Sequence, residues 1–199
     1  GWPSNITIPK DIAGGWGWNA VSKEFGEFLA EHEGGVEKPR FKSTIHTYEQ
    51  VIAMDYAEGV TPGAISSGIC HNAGYFTFRG VAFAEDCYDV PPPFWKWSSA
   101  NNPMLRYAEV LLLYAEAKDG DADGTGLKAL NEVRRRAQIP ELSSMTYQGI
   151  KDERRAELFT EQERYFDLVR WGDAATALKD KGKVYYQFFG YKPGTTEWD

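Results

Sequence analysis

Long apolar runs are missing from this chain. The longest, VLLLYA at 110–115, falls far short of the ~20 residues that a membrane-spanning helix needs. The opening GWPSNITIPK has neither the basic start nor the apolar stretch of a secretory signal. It reads either as a cytosolic start or as a chain whose N-terminus has been removed. Basic charge is scarce: 22 Lys and Arg face 29 Asp and Glu, a net charge of −7. That balance speaks against nucleic acid as a partner, because phosphate recognition concentrates basic residues on one face. The densest basic run, Arg134–Arg136, lies in a helical pattern beside Glu132 and reads as a solvated helix face. Cysteine is limited to Cys70 and Cys87, outside any C-x-x-C spacing. This argues against a structural zinc site and leaves one disulfide or two free thiols open.

Catalytic signatures are equally thin. There is no G-x-S-x-G, no P-loop and no G-x-G-x-x-G. GGWGWN at 14–19 places Trp where a backbone would have to approach a phosphate. AEHEGG at 30–35 lacks the second His of a zinc-protease helix, and His32, His46 and His71 are scattered. Glu153, Glu157 and Glu161 would suit a glycoside hydrolase by residue type, but Arg154, Arg155 and Arg164 stand among them. At i+3 and i+4 spacings that pattern reads as a structural charge network, and Asp167 is expected to pair with Arg164 or Arg170. DGDADG at 119–124 offers Asp119, Asp121, Asp123 and Gly124 at positions 1, 3, 5 and 6 of an EF-hand loop. Position 12 is Leu130 where calcium needs a bidentate Glu, so the loop reads as a polar turn, with a weak calcium site as the alternative. No cofactor is expected.

Aromatic residues are what the chain has in excess. They form 15% of it, with seven Trp and eleven Tyr. Trp is hard to bury whole and costly to expose, so such a chain carries either a Trp-rich core or a stacking surface.

The sequence changes character near residue 100. Before it, a helix is expected over 19–33, stopped by Gly34-Gly35, followed by strands at 41–47 and 74–83. PPPFWKWSSANNP at 91–103 is expected to be a loop, because three prolines oppose regular structure. After residue 100 the periodicity is helical. Helices are expected over 103–118, 126–137, 147–171 and 174–181, with an aromatic, irregular tail. The first is expected to be mostly buried. Leu127, Leu130, Val133 and Ala137 form the core stripe of the second; Ile150, Leu158, Phe166 and Val169 are the core contacts of the third. Trp171 is expected in the core. The first two helices, joined by a short turn, should pack antiparallel as a tetratricopeptide-like hairpin, with no second copy visible.

These helices resemble those of a known family. NNPMLRYAEVLLLYAEA (101–117), LNEVRRRA (130–137) and IKDERRAELFTEQERYFDLVRWG (150–172) are similar, in order, to three helices of the SusD/RagB family of starch-utilization-type outer-membrane lipoproteins. GGWGWN (14–19) and KPRFKSTI (38–45) resemble two further segments. Gln162 and Glu163 depart from the pattern, which often has Gly and a polar residue there; Pro-Thr is also absent after GWGWN. The resemblance implies a mainly α fold with tetratricopeptide-like hairpins, long loops and a few short strands. It implies that 1–199 is a single C-terminal region, loop-rich and ligand-facing over 1–100 and helical over 101–199. By the same resemblance, the N-terminal repeat helices, the lipid-attachment Cys and the usual C-terminal end of the family are expected to lie outside this chain. It implies non-catalytic binding of oligosaccharide or polysaccharide at the cell surface, and delivery to a SusC-like TonB-dependent outer-membrane transporter. It implies contact with the membrane only through a lipid anchor outside this chain.

Sugars present flat apolar C–H faces on which a held ring can stack. The candidate glycan ligands are therefore Trp95, Trp97, Trp16 and Trp18 from loops, with Tyr75 and Tyr88 from the region around the cysteines. Arg79 and Asn101 are candidate hydrogen-bonding companions, with Asn102 beside them. Trp95 and Trp97 are expected to point to opposite sides, one toward ligand. A helical module that contacts only the transporter is the alternative; a glycoside hydrolase is a weaker one.

Overall fold

The computed structural model describes residues 11–12, 21–55, 74–81, 83–90, 95–98, 104–118, 120 and 122–179. Among them the elements run α1 (Lys23–Glu33), α2 (Pro39–Thr44), β1 (Ile45–Thr47), α3 (Tyr48–Ile52), β2 (Tyr75–Thr77), β3 (Cys87–Val90), β4 (Trp95–Ser98), α4 (Tyr107–Ala117), α5 (Thr125–Arg136), α6 (Tyr147–Glu157), α7 (Glu163–Arg170) and α8 (Ala174–Ala177). The chain is mainly helical, with short strands. It divides into two compact units, one of Gly1–Phe28, Lys42–Asn102 and Tyr186–Asp199, the other of Leu29–Phe41 and Pro103–Tyr185.

The first unit holds two antiparallel two-stranded ribbons, β1–β2 and β3–β4. The expected strand at 41–47 is mostly helix: α2 runs to Thr44 and only Ile45–Thr47 extend. Thr47 is the reason the chain turns again. Its side chain accepts from the Gln50 N–H while the Gln50 side chain accepts from the Thr47 N–H, a capping box that starts α3. The strand expected at 74–83 is cut to Tyr75–Thr77, because the Phe78 and Arg79 N–H groups both donate to the Thr44 carbonyl. Ile45, Val51 and Phe76 are buried here, as are Val21 and Phe25 of the chain leading into and along α1.

The segment expected to be a loop at 91–103 contains a strand. The prolines at 91–93 fall between β3 and β4, so they interrupt the connection and leave Trp95–Ser98 free to pair. Pro91–Pro93 and Asn101–Pro103 themselves lie outside the described residues.

The helical unit is built on α4, α5 and α6. Leu112, Ala115, Leu130, Val133 and Ile150 are buried together with Ala108 and Ala129, and Leu142 and Met145 pack on their edge. The stripe expected on α5 faces this core, with Leu127 at its margin. Gln138 closes α5 in the left-handed region (φ 58°). Asn131 then clamps the returning chain: its amide donates to the Leu142 carbonyl at 2.9 Å and its carbonyl accepts from the Leu142 N–H at 2.8 Å. Thr146 caps α6, accepting from the Gly149 N–H at 3.0 Å.

Three expectations fail in this unit. Helix α4 starts at Tyr107, four residues after Pro103, because Arg106 is extended (φ −119°, ψ 152°) and turned toward a distant carboxylate. It is also not mostly buried: Tyr107, Val110, Leu113 and Tyr114 are exposed. The single helix expected over 147–171 is two, α6 and α7, separated by a tight turn in which Thr160 (φ 69°) and Gln162 (φ 68°) are left-handed. The break rotates the apolar register, so Ile150 and Leu158 are buried while Phe166 and Val169 face solvent.

Gln162 therefore occupies a position that costs an L-residue about 1 kcal/mol or more and costs glycine little. Gln162→Gly should raise unfolding stability by up to about 1 kcal/mol. Chemical denaturation followed by far-UV circular dichroism checks this; a loss of stability would show that the Gln162 side chain contributes more than its backbone strain costs.

Candidate functional site

The β3–β4 ribbon brings three of the candidate residues together. Its register pairs Cys87 with Ser98, Tyr88 with Trp97, Asp89 with Lys96 and Val90 with Trp95. Side-chain positions on a strand alternate with period two, and directly opposed residues share a face. Tyr88, Val90, Trp95 and Trp97 therefore occupy one face of the ribbon, and Cys87, Asp89, Lys96 and Ser98 the other. Trp95 and Trp97 were expected on opposite sides; two residues apart on a strand, they hold positions on the same face of the ribbon. Cys87 carries a free thiol.

The other candidates are not gathered there. Tyr75 lies in β2, opposite Thr47, and is half-buried. Its ring lies against Gly26 of α1, where a Cβ would overlap it, so Gly26 is the residue that admits the ring. Burial, with the negative charges of Glu27 and Glu49, raises the Tyr75 pKa. Tyr75 is thus packed against a helix as part of its own unit. Arg79 is in the turn after β2 and is partly exposed. Trp16, Trp18, Asn101, Asp119 and Asp121 lie outside the described residues. Asp123 is bound within its own turn: one oxygen accepts from Lys118 Nζ at 2.8 Å, the other from the Thr125 hydroxyl at 2.6 Å and the Thr125 N–H at 3.1 Å. The hydrogen bond from Lys118, then those from Thr125, lower its pKa. Asp123 ties the turn to the start of α5, and among the described residues no group of three or more His, Cys, Asp or Glu is placed to hold a metal.

The carboxylates of α6 form the charge network that their arginine-rich context suggests, but the partners come from elsewhere in the chain. Glu153 is fully buried; its Oε1 accepts from Arg40 at 2.6 Å, and its Oε2 from Arg134 at 2.7 Å, with His32 Nε2 at 3.0 Å. Arg40 also reaches Glu33 at 2.6 Å and Glu157 at 3.1 Å. Glu157, again fully buried, takes further hydrogen bonds from Arg106 and Arg136. Arg106 forks onto Glu161 at 2.7 and 2.8 Å and donates to the Glu157 carbonyl, which pins the turn between α6 and α7. Arg154 grips Asp167 through two bonds of 2.8 and 2.9 Å, and Arg170 shares Asp167.

One of the three arginines of the RRR run is therefore not on a solvated face. Arg134 is buried on Glu153 and the Pro140 carbonyl; Arg135 and Arg136 are exposed, Arg135 paired with Glu141 and Arg136 reaching in to the buried Glu157. Sequence spacing showed charge on one helix and had no means of showing that Arg40, about 113 positions away, would enter.

Trp171 is not in the core. It is half-buried, its Nε1 donates to Glu116 at 2.7 Å, and Tyr147 meets it edge-on at 6.5 Å. Lys151 and Arg170 lie over its ring at 5.2 and 4.8 Å. Cations cover the ring, and it serves as a hub between α4, α6 and the end of α7.

This arrangement of antiparallel helical hairpin, buried carboxylate–arginine cluster and short aromatic ribbons defines a class of mainly α, loop-bearing proteins. The SusD family model matches residues 34–197. The chain belongs to the SusD family. A SusD-like protein of Bacteroides ovatus is 35% identical over 151 residues, covering 66% of this chain and 26% of that protein. Surface glycan-binding protein A from Bacteroides thetaiotaomicron superposes with a TM-score of 0.64 at 24% identity, over 92% of this chain and 39% of that one. The same protein in complex with laminarihexaose gives 0.63 at 25% identity, over 94% and 38%. A SusD-like protein from Bacteroides fragilis gives 0.59 at 23%, over 86% and 40%. The chain thus spans about a quarter of the curated relative and about two fifths of these solved structures.

Burial opposes ionisation of Glu153, but the hydrogen bond from His32 and the charge of Arg40 win and hold its pKa down to about 2, below its ordinary value of 4.5. Glu157 is lowered likewise: burial opposes, and Arg136 and Arg40 prevail. A carboxyl whose folded pKa is depressed stabilises the fold above its unfolded pKa and loses that contribution as pH falls toward the folded value. Stability should therefore decline between about pH 4.5 and pH 2, seen as a falling denaturant midpoint. A midpoint flat across that window would contradict the role given to Glu153. Arg40→Met leaves three buried carboxylates short of a cation and should cost about 3–5 kcal/mol in the same assay. A cost below about 1 kcal/mol, the range of an exposed pair, would remove Arg40 from the centre of the network.

Proposed function

We propose that this chain takes part in non-catalytic binding of an oligosaccharide or polysaccharide, with the β3–β4 ribbon as a stacking surface. The observation that carries this is the register that sets Tyr88, Trp95 and Trp97 on one ribbon face. Aromatic rings in a row offer apolar area to the C–H faces of successive sugars, and the alternate face, with Asp89 and Lys96, stays polar. Membership of the SusD family and the likeness to a glycan-binding protein solved with laminarihexaose support the reading. Trp16, Trp18, Tyr75, Arg79 and Asn101 are proposed as secondary contributors. Delivery to a SusC-like TonB-dependent transporter, at the outer membrane of a lipid-anchored protein, completes the proposal on family grounds.

The carboxylates that motivate a hydrolase are committed elsewhere. Glu153 and Glu157 are fully buried on arginines, and Glu161 is forked by Arg106. A general acid needs a raised pKa and reach to a glycosidic oxygen; Glu153 and Glu157 are shifted the other way and sealed from solvent.

Native-gel retardation against a panel of soluble polysaccharides tests the proposal. One glycan should retard the wild-type chain. Trp95→Ala and Trp97→Ala should each weaken that retardation by about tenfold or more, on the basis of roughly 1.5–3 kcal/mol for covering one large apolar side chain. Trp171→Phe, altering a ring already covered by cations, should leave it unchanged. Retardation equal in all variants would remove the ribbon from the site. A folded chain retarded by no glycan would favour the transporter-contacting module.

A further inference from the structure

The two compact units differ in charge. The unit that carries the β3–β4 ribbon has eleven Asp and Glu against six Lys and Arg; the helical unit has eighteen against sixteen. Five of the chain's seven net negative charges therefore fall on the ribbon's unit. The arginines of the helical unit are also committed. Arg40, Arg106, Arg134, Arg154 and Arg170 each donate to carboxylates of that same unit.

The ribbon repeats the pattern on a smaller scale. Its single basic residue, Lys96, stands directly opposite Asp89, on the face away from Tyr88, Trp95 and Trp97. A short 3₁₀ turn, Ala84–Asp86, leads straight into β3 and sets the exposed Glu85, then Asp86, just before Cys87. The four positions of the aromatic face, Tyr88, Val90, Trp95 and Trp97, carry no charge. Arg79, the one arginine of the unit, belongs to the turn after β2, and its charge is among the six already counted.

Three effects act on a sugar laid against that face, and for an anion they share a sign. The faces of aromatic rings carry negative potential, which attracts weakly positive C–H groups and repels an anion. An ionised carboxylate or sulfate brought onto apolar rings gives up hydration, and no ammonium or guanidinium at the aromatic positions replaces it. The excess of carboxylates in the unit opposes a further negative charge over about 8 Å at physiological salt. A neutral sugar incurs none of the three.

We infer that the β3–β4 ribbon selects its glycan by charge: it takes neutral polysaccharides and rejects polymers of uronic acids or sulfated sugars. This rests on the stacking surface proposed above and adds a substrate class to it.

The test is native-gel retardation of the whole chain by two sets of soluble polymers. Laminarin, xyloglucan, galactomannan and amylopectin are neutral; polygalacturonate, alginate and chondroitin sulfate are anionic. The neutral polymer that retards the chain is then compared with the same polymer oxidised at C6, where primary alcohols become carboxylates on an unchanged backbone. Retardation is expected from the neutral set alone, and the oxidised form should retard at least roughly tenfold more weakly at low salt, the change made by about 1.4 kcal/mol of repulsion and lost hydration. That gap should narrow toward 1 M salt, where the screening length falls to about 3 Å. Glu85→Lys, at an exposed position off the aromatic face, should narrow it at low salt while leaving retardation by the neutral polymer unchanged. Retardation by an anionic polymer, or by the oxidised form as strongly as by its parent, overturns the charge selectivity; if Trp95→Ala weakens that retardation, the stacking surface itself still stands. A gap that neither salt nor Glu85→Lys alters also overturns it, because the discrimination then has a cause other than charge. No retardation by either set removes the stacking surface, and the selectivity falls with it.

Discussion

The helical unit depends on an ion cluster that has been taken out of water. Arg40 holds Glu33, Glu153 and Glu157, and none of these carboxylates has meaningful exposure. Bringing such charges into a protein interior costs several kcal/mol apiece, and the cost is recovered only when every partner is in place. The cluster therefore enforces specificity more than it adds net stability. Arg40 comes from α2, Glu33 from the end of α1, Glu153 and Glu157 from α6, Arg134 and Arg136 from α5, and Arg106 from the entrance to α4. Any shift of one of these elements would strand a charge, so the charges fix how the elements meet while the apolar core supplies the driving force.

The same cluster separates structure from binding. It consumes the acidic and basic side chains that would otherwise invite an enzymatic reading, and the binding surface proposed is the aromatic ribbon of the loop-rich unit. Trp171 illustrates the division. It is a Trp in a helix-rich region, fixed by Glu116 and covered by Lys151 and Arg170, and so is used for internal cohesion. Trp95 and Trp97 sit on a short ribbon whose opposite face is polar.

Much of the helical half can be read from the sequence. The stripe Leu130, Val133 and Ala137 is buried as its spacing implies, and the turn at Asp123 is a helix start and not a lone carboxylate. The failures have identifiable causes. The α6–α7 break was hidden because Thr160 and Gln162 are left-handed without being glycine; their conformation is imposed by Arg106 gripping both the Glu157 carbonyl and the Glu161 carboxylate. The exposed apolar faces of Val110 and Phe166 were hidden because periodicity shows which residues want cover and cannot show whether this stretch of polypeptide provides it. The β3–β4 ribbon was hidden by its prolines, which break a strand only where they stand.

By itself the sequence determined the helical class and the hairpin of α4 and α5. Those properties follow from local spacing, since helical periodicity and capping act over one or two turns. Tertiary structure alone decided which charges pair, because Arg40 and Glu153 are far apart in sequence and neither one's neighbours signal the other. It decided that Tyr88, Trp95 and Trp97 share a face, because register depends on which strands meet. It also decided which apolar residues remain exposed, because burial is a property of what packs against a helix and not of the helix.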